Sequence, residues 1–267
     1  MNFKRIITAI IGLPAVIAFF ILGNIYIIDI LFAVIACMSL HEYFKSFKGK
    51  AKPVEWIGYI ACLLISIIHI VPKQYAVMTI GIIIPTSIII LFVQSIITEM
   101  EYNIVDLAIT FFGICYIPLF IMYIPMTMGE KNGKILVWFM LIAAWGTDVF
   151  AYLIGKYMGK HKFSKISPNK SIEGCIGGVI GAIIITLIYT CIINNCFGLN
   201  INYIYISLIA IILSIIGQFG DFAASSIKRH VGIKDFSNLL PGHGGMLDRI
   251  DSLIFIAPIA YLLIRLL

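Results

Sequence analysis

Long apolar runs separated by short polar clusters dominate the chain. A run of about 18 apolar residues is what a helix needs to cross the hydrocarbon core of a bilayer. Nine stretches qualify or come close: 6–23, 25–40, 56–71, 75–97, 104–125, 135–154, 175–193, 203–220 and 252–266. The second, third and last are short. Asn24 is placed to turn the first two into a hairpin, and Pro14, Pro85 and Pro118 kink their helices without forbidding them. No soluble domain and no internal repeat separates from these runs. The pattern predicts an all-α, polytopic membrane helix bundle of about nine transmembrane helices. It forms a single integral membrane domain over 1–267, with the N-terminal spans in 1–130 and the most polar loops in 131–267.

Composition agrees with that reading. Hydrophobic residues make up 61% and charged residues 12% of the 267, against about 25% charged in soluble domains, and the mean hydropathy is +1.05. The start, MNFKR before an apolar run, imitates a signal peptide. The run continues to Leu22 with no small-residue cleavage site, so a retained first span is expected. The six cysteines, Cys37, Cys62, Cys115, Cys175, Cys191 and Cys196, show no CxxC spacing and read as packing thiols.

Orientation follows from the loops, because cytoplasmic loops collect lysine and arginine. A cytoplasmic N-terminus puts 15 of the 19 cations inside and leaves only Lys73, Lys131, Lys134 and Arg265 outside. The expected location is the inner membrane, with the polar loops facing the cytoplasm. The net charge of +6 then reflects topology and anionic headgroups, so no nucleic-acid partner is expected. The segment His41–Lys52 mixes aromatic and basic residues and fits either a surface-lying stretch or a solvated loop.

One region is not greasy. Within the 27 residues Ser225–Asp251 stand Lys228, Arg229, Lys234, Asp235, Asp248, Arg249 and Asp251, with His230, His243 and the glycines 242, 244 and 245. A membrane span needs none of these, whereas a polyphosphate and a hard cation need them all. On a helix, Asp221, Ser225 and Lys228 share one face, and Asp248 and Asp251 are neighbours. Magnesium takes oxygen ligands from one or two carboxylates plus substrate phosphates, which makes Asp221 and Asp248 the candidate metal pair. Capping of a helix N-terminus is the plainer role for Asp248 and Asp251, and an ion pair for Asp221. Asp148, another acid near hydrocarbon, belongs with them, because such acids default to function.

Lys228, Arg229 and Arg249 suit phosphate charge, although positive-inside anchoring accounts for any one of them. Gly244 and Gly245 allow close backbone approach to phosphate, with the following helix N-terminus supplying N–H groups, and His243 sits within that turn. In Ser167–Gly174 (SPNKSIEG), Lys170 with Ser167 and Ser171 suits nucleotide phosphate, while Ser171 and Glu173 compete as helix caps. No histidine cluster suggests zinc. The P-loop pattern and Gly-x-Ser-x-Gly are absent.

The Ser225–Asp251 stretch resembles the signature of the phosphatidate cytidylyltransferases, also called CDP-diacylglycerol synthases. The match runs through Ser225, Ile227, Lys228, Arg229, Lys234, Asp235, Ser237, Leu240, Pro241, His243, Gly244, Gly245, Met246 and Asp248 to Asp251. SPNKSIEG and Asp148 with Ala151, Tyr152 and Gly155 resemble the same family, whereas residues 1–130 do so only as apolar spans. The resemblance implies CTP and phosphatidate as substrates, in a reaction yielding CDP-diacylglycerol and pyrophosphate. It also implies Mg2+ held by Asp221 and Asp248, a monovalent cation alongside, and a place in phospholipid biosynthesis, with a homodimer left open. In these terms Asp221, Lys228, Arg229, Asp248 and Arg249 are the catalytic candidates. Asp148, Ser167, Lys170, Ser171, Glu173, Ser225, Lys234, His243, Gly244, Gly245 and Asp251 are the substrate-binding ones. The competing reading is an ion-coupled transporter with Asp148 and Asp221 as its cation site.

Overall fold

The computed structural model describes residues 14, 16–68, 71–164, 167–168, 170–239, 242 and 244–266. Apart from isolated bridge residues, among them the antiparallel pair Lys162 and Ser171, the regular structure among the described residues is helical. The helices are α1 (Ile25–Ser46), α2 (Glu55–Ser66), α3 (Lys73–Ile97), α4 (Ile104–Tyr116), α5 (Pro118–Ile121), α6 (Tyr123–Met128), α7 (Gly133–Leu136), α8 (Trp138–Met158), α9 (Ile172–Phe197), α10 (Tyr203–Val231) and α11 (Leu247–Ile264).

Local chemistry sets these boundaries. Asn24 caps α1 by accepting from the Ile27 amide at 2.9 Å, and Asn103 and Asp106 form a reciprocal capping box at the start of α4. Pro118 cannot continue an i−4 ladder. The run 104–125 therefore breaks at Ile117 between α4 and α5, and a second break at Met122 separates α5 from α6. Gly198, at φ +65°, closes α9.

Six helical segments among the described residues are long and apolar enough to cross a membrane: Ile25–Ser46, Gln74–Ile97, Ile104–Met128, Gly133–Met158, Ile172–Phe197 and Tyr203–Val231. The polytopic helical bundle is thus present. Of the three further stretches, 6–23 lies half outside the described residues, and its described part is helical over 16–22. The second is the 12-residue α2, and the third is α11, with Asp248, Arg249 and Asp251 in its first turns.

The chain divides into two compact units, 1–126 with 230–249, and 127–229 with 250–267. In the first unit, Ile65, Ile68, Ile114 and Met122 form one apolar cluster, and Val54, Ile57, Leu91 and Leu107 form another. Buried Asp106 ties the α1–α2 connection to α4 by accepting from the Lys52 amide at 2.7 Å. Residues 41–52 are neither a surface-lying stretch nor wholly a loop. Helix α1 runs on through Ser46 and buries Glu42, Tyr43 and Phe44, and the solvated part begins only afterwards. Helix α3 leaves Ile82, Ile89 and Ile96 exposed, as a face toward lipid requires.

In the second unit, α8 and α9 pack through a stripe of small residues. A Cβ at Gly178 would lie 2.9 Å from the Thr147 carbonyl oxygen, and one at Gly174 2.8 Å from that of Ala151. Only glycine permits this approach, in the manner of small-xxx-small membrane interfaces. Thr147 donates to Ser214 across α8 and α10 at 2.6 Å, a bond worth about 0.6 kcal/mol in such bundles. Gly220 brings α10 against α11, where an added Cβ would meet the Asp251 carbonyl oxygen at 2.6 Å.

Candidate active site

In the first unit the polar segment forms the loop between α10 and α11. Gly232, at φ +84°, releases the chain from α10, and buried Phe236 anchors its middle. Asp248, in the first turn of α11, folds back: its Oδ2 accepts from the amides of Phe236 and Gly245, both at 2.9 Å. A second carboxylate enters from α1. Glu42, only 4% exposed, accepts through Oε1 from the Ser237 hydroxyl at 2.6 Å and the Met246 amide at 2.9 Å. Through Oε2 it accepts from the Leu247 amide at 2.9 Å.

This arrangement explains the glycines. Gly244 adopts φ +82°, and a Cβ at Gly245 would sit 2.4 Å from Glu42 Oε2. The Gly245 amide, in the turn before α11, donates to Asp248, and the Met246 and Leu247 amides at the start of α11 donate to Glu42. Lys234 and Arg249 are exposed. Lys50 donates to the His230 carbonyl, which holds the end of α10 to the connection after α1. His243, with Leu240 and Pro241, lies outside the described residues.

The second unit holds the other candidates. Lys170 forms an ion pair with Asp221, each side chain about one-quarter exposed. Its ammonium also lies 4.6 Å from the centre of the Phe222 ring, which stacks on Phe163 at 4.7 Å. Ser225 approaches Asp221 at 3.5 Å. Ser225, Lys228 and Asp251 are buried, while Asp148 and Arg229 are exposed. Asp251 stands on the polar first turns of α11, ahead of the apolar stretch. Burial pushes its carboxyl well above the usual carboxylate range, Asp221 and Asp148 push it further, and Lys228 works against them. Asp148, Asp221 and Asp251 therefore share one electrostatic environment.

The described residues of SPNKSIEG, 167–168 and 170–174, are held as a strap. The Phe163 amide donates to the Lys170 carbonyl and the Ile172 amide to the His161 carbonyl, both at 2.9 Å. Ser171 caps α9, accepting from the Gly174 amide at 3.1 Å. Glu173 accepts from the Lys160 amide at 3.2 Å and the His161 amide at 3.3 Å, and its Oε1 lies 2.6 Å from His161 Nδ1. Ser171 and Glu173 thus hold the strap that presents Lys170, and Ser167 accepts from the Lys170 amide at 3.1 Å.

Among the described residues no group of three or more His, Cys, Asp and Glu side chains is disposed to hold a metal ion. Magnesium asks less of a protein than that, since phosphates and waters complete its shell. Oxygen donors on acids that repel one another, as around Asp251, suit a hard dication. Asp221 belongs to the second unit and Asp248 to the first.

Sequence reasoning missed Glu42. The signal was present, because an acid at the end of an apolar run carries the same cost that singled out Asp221.

Comparison with known proteins gives one answer. The family model described as the cytidylyltransferase family matches residues 3–267. A phosphatidate cytidylyltransferase of Bacillus subtilis (strain 168) is 32% identical over 98% of this chain and 97% of its own length. One of Staphylococcus aureus (strain COL) is 34% identical over 97% of this chain and 98% of its own. One of Staphylococcus haemolyticus is 39% identical over 66% and 65%. With the match running from end to end and through both units, the chain belongs to the cytidylyltransferase family.

Proposed function

We propose that the protein transfers cytidylate from CTP to phosphatidate, giving CDP-diacylglycerol and pyrophosphate at the cytoplasmic face of the inner membrane. The observation that carries this reading is the Lys170–Asp221 ion pair beside buried Lys228 and Asp251, in a chain that the family model covers throughout. The relatives named above bear the same activity in their names. No observation favours the transporter.

In the proposed reaction a phosphate oxygen of the lipid bonds to the α-phosphorus of CTP, and the bond to the bridging oxygen of pyrophosphate breaks. The lipid phosphate is already ionised near neutral pH, so the obstacle is repulsion between two anions and not the lack of a base. Lys228, Arg229 and Arg249 neutralise phosphate charge in place, a contribution that grows as water is excluded. Lys170 passes from Asp221 to a nucleotide phosphate, which frees the carboxylate. Asp221 and Asp248 are each a candidate to hold Mg2+, which would screen phosphate charge.

The test is direct. Purified protein in detergent is given phosphatidate, CTP and Mg2+, and pyrophosphate and lipid-linked cytidylate are measured with and without a chelator. Equal release of the two products, abolished by the chelator, is expected; no transfer by the wild type would sink the reading. Single-cysteine labelling at position 234 in intact cells checks the sidedness, and labelling there by an impermeant reagent from outside contradicts it.

A further inference from the structure

We infer that Glu42 is a positioning residue for the proposed transfer: from α1 it grips Ser237, Met246 and Leu247 and so fixes the loop in which Asp248 is set. The inference rests on the proposed function only for what Asp248 does in the reaction; the grip itself lies wholly within the first unit.

An ionised carboxylate that is 4% exposed is costly unless hydrogen bonds replace its hydration. Glu42 has three donors at 2.6–2.9 Å, two of them backbone amides. Bonds to a charged acceptor are roughly twice as strong as neutral ones. The first amides of a helix have no partner of their own, and the residue before α11, Met246, has no side-chain acceptor to cap them. Glu42 supplies that cap from a helix about 200 residues earlier in the chain, and its negative charge suits a helix N-terminus.

The consequences converge on Asp248. Glu42 holds both ends of the segment Ser237–Leu247. Asp248 binds the amides of Phe236, just before that segment, and Gly245, within it. The direction of the Asp248 carboxylate is therefore set by a loop whose ends are pinned to α1. Gly245 is the residue that lets the two come together, since any side chain there would occupy the place of Glu42 Oε2. Ser237 joins this closure from the other end, donating to Glu42 while it accepts from the nearby Leu239 amide.

The experiment compares full-length wild type, Glu42→Gln, Ser237→Ala and, as a reference, Glu55→Gln at the start of α2. Hydrogen exchange is followed on peptides covering 237–249, together with kcat, KM for each substrate and the Mg2+ concentration giving half-maximal rate. For Glu42→Gln the Met246 and Leu247 amides are expected to exchange at least about 10-fold faster, with α9 unaltered. A kcat about 10- to 100-fold lower is expected, the usual loss when the partner of a site carboxylate is removed. Half-saturation by Mg2+ should rise several-fold, KM for CTP should stay within about threefold, and Glu55→Gln should match wild type.

Wild-type kcat and Mg2+ dependence in Glu42→Gln would overturn the inference and leave the proposed function standing. No transfer by the wild type would sink the proposed function instead. The grip would then be judged on exchange alone, where unaltered protection in Glu42→Gln overturns it. Should Glu42→Gln fail to fold, Ser237→Ala decides: a kcat about two- to fivefold lower with faster exchange of 237–249 supports the grip, and wild-type values in both overturn it.

Discussion

The two units of this molecule use their acids in opposite ways. In the first, Glu42 and Asp248 accept mainly from backbone amides. In the second, Asp221 and Asp251 face the cations Lys170 and Lys228. A backbone amide cannot leave its acceptor without moving the chain, whereas a lysine ammonium on four rotatable bonds can change partners. The first arrangement makes a frame. The second can yield to an incoming anion, because a partly exposed ion pair contributes only about 0–1 kcal/mol and charged substrate phosphates compete for the same cation.

The largest expected effect separates the two directly. Asp221→Asn should lower cytidylate transfer by roughly 100- to 1000-fold, the usual worth of one well-placed electrostatic group, with little change in thermal midpoint. Asp248→Asn should lose both activity and stability. Asparagine can keep its carbonyl oxygen where Oδ2 accepts from the Phe236 and Gly245 amides, but both bonds lose their charged acceptor, at a cost of about 1–2 kcal/mol. The pair is measured by product formation and by thermal unfolding of the same preparations. Equal destabilisation by the two substitutions would break the distinction between frame and mobile pair.

A smaller effect tests the frame without removing any acid. Gly245→Ala sets a methyl 2.4 Å from Glu42 Oε2, and the carboxylate or the loop has to shift. Overpacking of this kind costs about 1–3 kcal/mol. Transfer is expected to fall about 10-fold or more, with faster hydrogen exchange confined to 237–249. A stable, fully active Gly245→Ala would show that the loop tolerates a different closure.

These contrasts also separate what the sequence reveals from what it hides. The spans were legible because hydrocarbon demands long apolar runs, and Pro118 marked the break between α4 and α5. The polar cluster from Ser225 to Asp251 was legible because charge beside a membrane span stands out. Glu42 was not. It lies in a stretch that reads as basic and aromatic, and its partners are 195 to 205 residues away, a pairing that no local pattern encodes. Ser171 caps α9 as its place before an apolar run suggests, whereas the bonds of Glu173 to residues 12 to 13 positions away are not encoded in the local pattern.

The smallest effect concerns the mobile pair itself. Lys170→Ala removes the ion pair to Asp221 and the contact with the Phe222 ring. Both side chains of the pair are about one-quarter exposed, so stability should fall by no more than about 1 kcal/mol. If Lys170 transfers to a nucleotide phosphate, its loss weakens ground and transition states alike, and KM for CTP rises several-fold with kcat little changed. On the same proposal, KM for phosphatidate should move less. Initial rates over a grid of both substrate concentrations separate the two constants. Equal shifts in both, or a marked loss of stability with neither shifted, would make Lys170 part of the frame and erase the contrast between the two units.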